Sequence, residues 1–155
     1  MVWRHNFLPK TKLGMLMYSE RILSLKSKLN DLLAANSVSY LNLTENKLPK
    51  AGGVYLISAK INGKVLPYYV GRASKLARRL YTNHLMGNQS TARLKKYMVE
   101  SGEAATMEDA KEFLRQNCSI QWVLEGEYRN RGALEGFFTS VLFPKYGIAP
   151  EGRNA

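Results

Sequence analysis

Four groups of side chains in this sequence sit where they could do chemistry. Tyr55 lies two residues after Gly53, and Tyr69 lies two residues before Gly71. A glycine beside a phenol lets backbone or ligand approach it closely. Cross-strand aromatic packing is the alternative reading of the pair. Next comes a basic run, Arg72, Lys75, Arg78 and Arg79, at the expected opening of a helix. Free backbone N–H groups at a helix start bind anions, and arginine adds a bidentate fork. Arg79 falls between Leu76 and Leu80, near the side that should be buried. A charge there is costly unless it meets a partner, so it is expected to face a site. The alternative for Lys75 and Arg78 is a solvated face. Glu135 stands in the apolar run Ala133-Leu134-Glu135-Gly136-Phe137-Phe138 and wants a cation. Arg131, one turn earlier, could supply it; so could a hard divalent metal, which takes oxygen ligands. His84 ends the basic helix, where a histidine makes a favourable contact with the helix dipole. Cys118 has no histidine near it and His5 sits in the opening segment; neither is assigned a role.

The elements that must hold these groups are legible from pattern. Tyr18 to Ala35 carries Ile22, Leu25, Leu29, Leu32 and Leu33 at helical spacing. Val38 to Leu43 alternates like a short strand. Gly53 to Lys60 and Val65 to Val70 are strands by composition, and the Asn62-Gly63 pair between them is a hairpin signal. Pro67 predicts an edge or a bulge. Helices are expected from Ser74 to about Leu85 and from Thr91 to Glu100. A third opens at Thr106-Met107-Glu108-Asp109, which has the form of a capping box. A strand is expected at Ser119 to Leu124, with Ile120, Trp122 and Leu124 on one face. A last helix, Asn130 to Phe143, should bury Leu134, Phe138, Val141 and Leu142 and stop at Pro144. The expected fold is α+β: a small three-stranded, partly antiparallel sheet flanked by helices, with an added N-terminal helix.

Composition narrows the function. At 155 residues the chain fits one core. One cysteine excludes an intrachain disulfide and a zinc cluster. No apolar run approaches a membrane span. The opening, Met1 to Lys12, lacks the apolar core of a secretory signal, so a reduced, soluble, cytoplasmic protein is expected. The formal charge is +11. From Asn46 to Val99 there is no acidic residue, and the eleven lysines and arginines there equal the whole excess. A polyanionic partner is implied; a basic solvated face and an anionic membrane surface are the alternatives, the latter lacking a long basic amphipathic helix.

Taken together, Gly53-Val54-Tyr55, Tyr69-Val70-Gly71 and the run Gly71-Arg72-Ala73-Ser74-Lys75-Leu76-Ala77-Arg78-Arg79-Leu80 resemble the GIY-YIG nuclease family. Leu134-Glu135 and the turn Phe143-Pro144-Lys145-Tyr146 are similar to the family's glutamate helix and closing proline turn. The resemblance implies a nuclease domain over residues 51–147, an N-terminal extension over 1–50 and an irregular tail over 148–155. It implies a DNA endonuclease of restriction or phage and mobile-element type, using one Mg²⁺ or Mn²⁺ ion on Glu135. Tyr55 would position or deprotonate the attacking water and Tyr69 would hydrogen-bond it or the phosphate. Arg79 would offset transition-state charge, with Arg72 assisting. Gly53, Gly71, Lys75 and Arg78 would contact substrate. A histidine that some members place a turn beyond the arginine falls on Asn83 by strict spacing, with His84 one later. Gly147 stands where many members have asparagine; Asn154 is the nearest such residue. A homodimer through the N-terminal helix is expected, with no membrane association. The alternative function is a non-catalytic nucleic-acid-binding module on the same scaffold.

Overall fold

The computed structural model describes the backbone of residues 7–149 and the side chains of residues 14–149. His5 and Asn154, and the tail from residue 150, lie outside the described residues. The chain runs α1 (Phe7–Ala34), β1 (Val38–Ser39), a 3₁₀ turn (Glu45–Lys47), β2 (Gly53–Ile61), β3 (Lys64–Ala73), a π-helix (Arg78–Leu85), α2 (Arg93–Glu100), α3 (Met107–Asn117), β4 (Cys118–Leu124) and α4 (Tyr128–Leu142). The sheet order is β1-β4-β2-β3, every pairing antiparallel. The sheet therefore has four strands rather than three. The extra one is the two-residue β1, all that forms of the expected Val38–Leu43 strand, because Asn42 turns the chain at φ 60°.

The β2–β3 hairpin forms as its sequence predicts. Ile61 pairs with Lys64, and Asn62 and Gly63 take φ of 51° and 78°. Two positive φ values in a two-residue loop match the strand twist. Pro67 lies on the edge strand and beside a bulge: Ile57 faces Tyr69 but Ser58 faces Pro67, leaving Tyr68 unpaired. Side chains alternate along a strand, and one extra residue resets that alternation. Tyr68 and Tyr69 consequently point to the same side of the sheet, and both join one core.

The sheet is covered on both faces. One face carries Tyr55, Ile57, Ala59, Tyr68, Tyr69 and Ile120, packed under the π-helix, α2 and α3. The other carries Val54, Leu56, Val70 and Val123 against Leu29 and Leu32 of α1 and Leu134 and Phe138 of α4. That second core makes β4 two-sided, and Leu124, expected inward, is exposed instead. Helix α1 starts well before Tyr18, and only its C-terminal part is packed: Ile22 and Leu33, expected in the core, are 57% and 49% exposed. Val141 is likewise exposed on α4. Thr106 caps α3 as its sequence predicts, its hydroxyl accepting from the Asp109 N–H at 3.1 Å. Helix α4 is capped by Glu127, whose carboxylate accepts from the Asn130 N–H at 2.8 Å, so it starts before Asn130. Among the described residues no helix is long and apolar enough to cross a membrane.

Candidate active site

Tyr55 sits mid-sheet, opposite Gly71 on β3 and Trp122 on β4. Its ring leans over Gly71, where no side chain stands. A Cβ there would lie 2.5 Å from Tyr55 Cζ, closer still to the hydroxyl, and 2.9 Å from Tyr69 Cε1. The glycine that matters to Tyr55 is thus its cross-strand partner. Tyr69 is carried to the same side by the bulge, its ring 6.3 Å from that of Tyr55 at 24°. Both phenols are buried, Tyr55 completely, and not exposed as a site on a strand surface would suggest.

Above the tyrosines runs the π-helix. Its i→i+5 pattern includes the Met86 N–H donating to the Tyr81 carbonyl at 3.0 Å. A turn with one residue more than an α-turn brings residue 84, rather than 83, round beside Arg79. His84 is completely buried, and its Nε2 shares a 2.6 Å hydrogen bond with the Tyr55 hydroxyl. Arg79 Nε donates to the same hydroxyl at 3.3 Å, and its Nη1 to the Thr91 carbonyl at 3.4 Å. Two other residues hold this helix. Tyr40 donates to the Leu80 carbonyl at 3.2 Å. Lys95, buried in α2, donates to the Leu85 and Gly87 carbonyls at 2.7 and 2.8 Å. An ammonium on the last carbonyls of a helix also suits its dipole.

Glu135 reaches the site from the opposite face of the sheet. Arg72 has the parity of Val70, so it points toward α4. Its Nε lies 3.9 Å from Glu135 Oε2. Gly132, one turn before Glu135, leaves room for that guanidinium; a Cβ there would collide with Arg72 Nη1. Arg131 does not pair with Glu135. Its Nη1 donates to the Glu125 and Gly126 carbonyls at 3.1 and 3.0 Å. The two faces meet around the end of the edge strand, in one open cleft of about 620 Å³. Tyr55, Tyr69, Gly71, Arg72, Lys75, Arg78, Arg79, Asn83, Arg93 and Glu135 are among the residues lining it.

Residues 51–116 match the family model described as the GIY-YIG catalytic domain. That stretch is similar to a GIY-YIG catalytic domain. The matched residues hold both tyrosines, Arg79 and His84; Glu135 lies beyond them. Among solved structures, similarity is found to the GIY-YIG N-terminal endonuclease domain of UvrC from Thermotoga maritima. Two point mutants of it, each bound to its catalytic divalent cation, are 22% and 20% identical over 66% of this chain and 88% of theirs, both with a TM-score of 0.42. The magnesium-bound form is 21% identical over 65% and 88%, with a TM-score of 0.36. Among curated proteins none matches the sequence.

The cleft is electrostatically polarised. Burial pushes the Tyr55 phenol above its ordinary range, as does the neighbouring Tyr69, and Arg79 only partly offsets them. The cation beside Tyr55 is Arg79, whereas Arg72 faces Glu135. Burial also raises Tyr69, opposed by Arg79 and Arg93. His84 is held well below its usual value by burial and by Arg79, Lys95 and Arg93, so it is neutral at pH 7. Burial raises the Glu135 carboxyl, while Arg72, Arg93 and Arg79 draw it back. Gly53 is not in the cleft: a Cβ on it would strike the Val123 carbonyl and stand 2.9 Å from Leu76 Cδ1, so its place is in packing. Cys118 is buried, its thiol pushed up to about 12 by burial, and is inert. Two cleft residues were assigned no role of their own from the sequence, Asn83 and Arg93. Arg93 opens a helix some fourteen residues beyond Arg79, and only the fold of the intervening loop brings it back. Its place in the acid-free basic stretch was the one available signal.

Proposed function

We propose that this chain is a metal-dependent endonuclease that hydrolyses phosphodiester bonds in DNA, with the nuclease domain spanning residues 51–147. The observation that carries the reading is the shared cleft: Tyr55, Tyr69, Arg79 and Glu135 come from β2, β3, the π-helix and α4, separated by up to eighty residues of chain, and line one opening. Phosphodiester hydrolysis needs an oriented nucleophile, compensation for developing negative charge, and help for the leaving oxygen. Arg79 and Arg72 bring fixed positive charge to a phosphate in the cleft, and Lys75, Arg78 and Arg93 line its approaches. Tyr69 orients the phosphate or the attacking water through its hydroxyl.

Tyr55 holds its hydroxyl between a neutral imidazole and a guanidinium. Its raised value keeps the phenol protonated at pH 7. Tyr55 therefore acts as a protonated phenol that orients the attacking water, its hydroxyl fixed by His84 Nε2 at 2.6 Å and by Arg79 Nε at 3.3 Å. The phenolate need not form.

The donor set fits a single hard cation. Among the described residues no group of three acidic, histidine or cysteine side chains could hold a metal. Glu135 is the one carboxylate lining the cleft. Magnesium keeps several waters and accepts one or two carboxylates plus substrate phosphates. Glu135 would hold Mg²⁺ or Mn²⁺, which when bound stabilises charge on the leaving oxygen. Incubating supercoiled plasmid with the protein and Mg²⁺ tests this. Nicking or linearisation by the wild type, lost in Glu135→Ala and Arg79→Ala with unchanged circular dichroism, is the expected result. Salt-sensitive binding without cleavage would favour the non-catalytic binding module.

A further inference from the structure

A second basic groove adjoins the cleft. It has a volume of about 260 Å³ and is lined by Glu45, Lys50, Lys75, Ala77 and Arg78. Lys75 and Arg78 line the cleft as well, so they form a wall common to both openings. Lys50 is fixed to that wall by the backbone on each side of it. The Ala77 N–H donates to the Pro49 carbonyl and the Leu76 N–H to the Ala51 carbonyl, each at 2.9 Å. These bonds also occupy two of the N–H groups at the start of the helical segment, so the groove recognises anions through side chains. Among the described residues, Lys50, Lys75 and Arg78 make no salt bridge. Glu45 is the single acid lining the groove, and it pairs with none of them within 4.0 Å. Neighbouring Lys47, by contrast, is engaged: its Nζ donates to the Asn42 carbonyl at 3.0 Å.

Three unpaired cations facing one carboxylate leave an anion site with a net charge of about +2 from these side chains at neutral pH. We propose that this groove is a second phosphate-binding subsite, in which Lys50, with Lys75 and Arg78, holds the DNA backbone as it leaves the cleft. The proposal rests on the nuclease reading above and deepens it. It requires substrate extending beyond the scissile phosphate on the Lys50 side. Such contacts position the duplex without reading its sequence. Neither Lys50 nor Glu45 stood out in the sequence: Lys50 is one of eleven dispersed cations, and Glu45 is one residue outside the acid-free stretch.

Binding of end-labelled duplex DNA, followed by fluorescence anisotropy in EDTA across a series of lengths and salt concentrations, tests the subsite. Lys50→Gln is expected to weaken long duplexes by about 3- to 10-fold and to reduce the salt slope by about 0.9, one phosphate contact. Duplexes too short to leave the cleft should bind as they do to the wild type. Lys50→Arg should restore long-duplex binding. Glu45→Gln should tighten it, an effect opposite in sign to any loss of folding. Equal affinity and slope for Lys50→Gln and wild type at every length overturns the subsite, while plasmid cleavage by the same wild-type preparation keeps the nuclease reading standing. If the wild type neither binds nor cleaves, both fall together.

Discussion

Gly71→Ala is the substitution that probes the site most directly. The added Cβ would stand 2.5 Å from Tyr55 Cζ and 2.9 Å from Tyr69 Cε1. Carbon atoms prefer about 3.5 Å or more, so one ring or the β3 backbone must yield by about 1 Å. Neither ring is a loose end. Tyr55 is completely buried in the sheet and tied through its hydroxyl to His84 and Arg79. Overpacking of this kind costs about 1–3 kcal/mol. For a protein of this size each kcal/mol lowers the melting temperature by about 2–4 °C, giving a fall of about 2–12 °C. Displacing the hydroxyl by about 1 Å also breaks its 2.6 Å bond to His84, and misplacement on that scale costs about 100-fold in rate. DNA affinity should stay within about threefold, because the cleft cations are untouched. Combining Gly71→Ala with Tyr55→Phe removes the nearest atom but leaves Cζ, so part of the lost stability returns. Calorimetry and plasmid cleavage read the two effects separately. A Gly71→Ala protein with wild-type melting and cleavage would refute the placement of Tyr55 over this glycine.

Three further outcomes are expected. Glu103 accepts from Tyr68 and Tyr146 and from Lys145 Nζ at 2.6 Å, while the Lys145 and Tyr146 N–H groups donate to the Pro67 and Tyr68 carbonyls. This ties the segment that places Gly147 beside the Tyr69 ring, so Glu103→Gln should lose about 1–3 kcal/mol and speed amide exchange at Lys145 and Tyr146; unchanged exchange would show that Glu103 is not the anchor. His84 refuses a proton that the unfolded chain accepts near pH ~6.5, so stability should fall on acidification below about 6.5, by at most ~1.4 kcal/mol per pH unit from this group. Denaturant melts from pH 7 to 5 should show a shallower fall in His84→Asn, and an identical slope would mean His84 titrates normally. A homodimer built on α1 would use Met15, Leu16, Tyr18, Ile22 and Leu23, all mostly exposed. Sedimentation equilibrium should then show a concentration-dependent mass that the double substitution Ile22→Glu, Leu23→Glu abolishes, and a wild-type monomer at high concentration would remove the dimer.

Much of the local structure was encoded locally and could be read that way. Asn62-Gly63 demanded a tight hairpin, Thr106 and Asp109 a helix start, Pro67 an edge strand with a bulge beside it, and Pro144 a helix end. Errors arose where burial depends on distant chain. Ile22 and Leu33 have helical spacing, but no element among the described residues covers them. Leu124 keeps the alternation of β4 yet reaches past the core, and Val123 on the other face is buried by α1 and α4.

The active-site candidates divide in the same way. The sequence alone determined which groups could act: two tyrosines with nearby glycines, an arginine on a buried helix face, and a carboxylate among apolar residues. Residue type and short-range spacing suffice for that, because they act within one strand or one turn. Tertiary structure decided who meets whom. The bulge turned Tyr69 toward Tyr55, and the π-turn brought His84 instead of Asn83 beside Arg79. The crossing of α4 over β3 gave Glu135 to Arg72 and left Arg131 to backbone carbonyls. Each of these depends on how sheet and helices pack at a distance, and a single inserted residue in strand or helix changes the direction of every side chain after it.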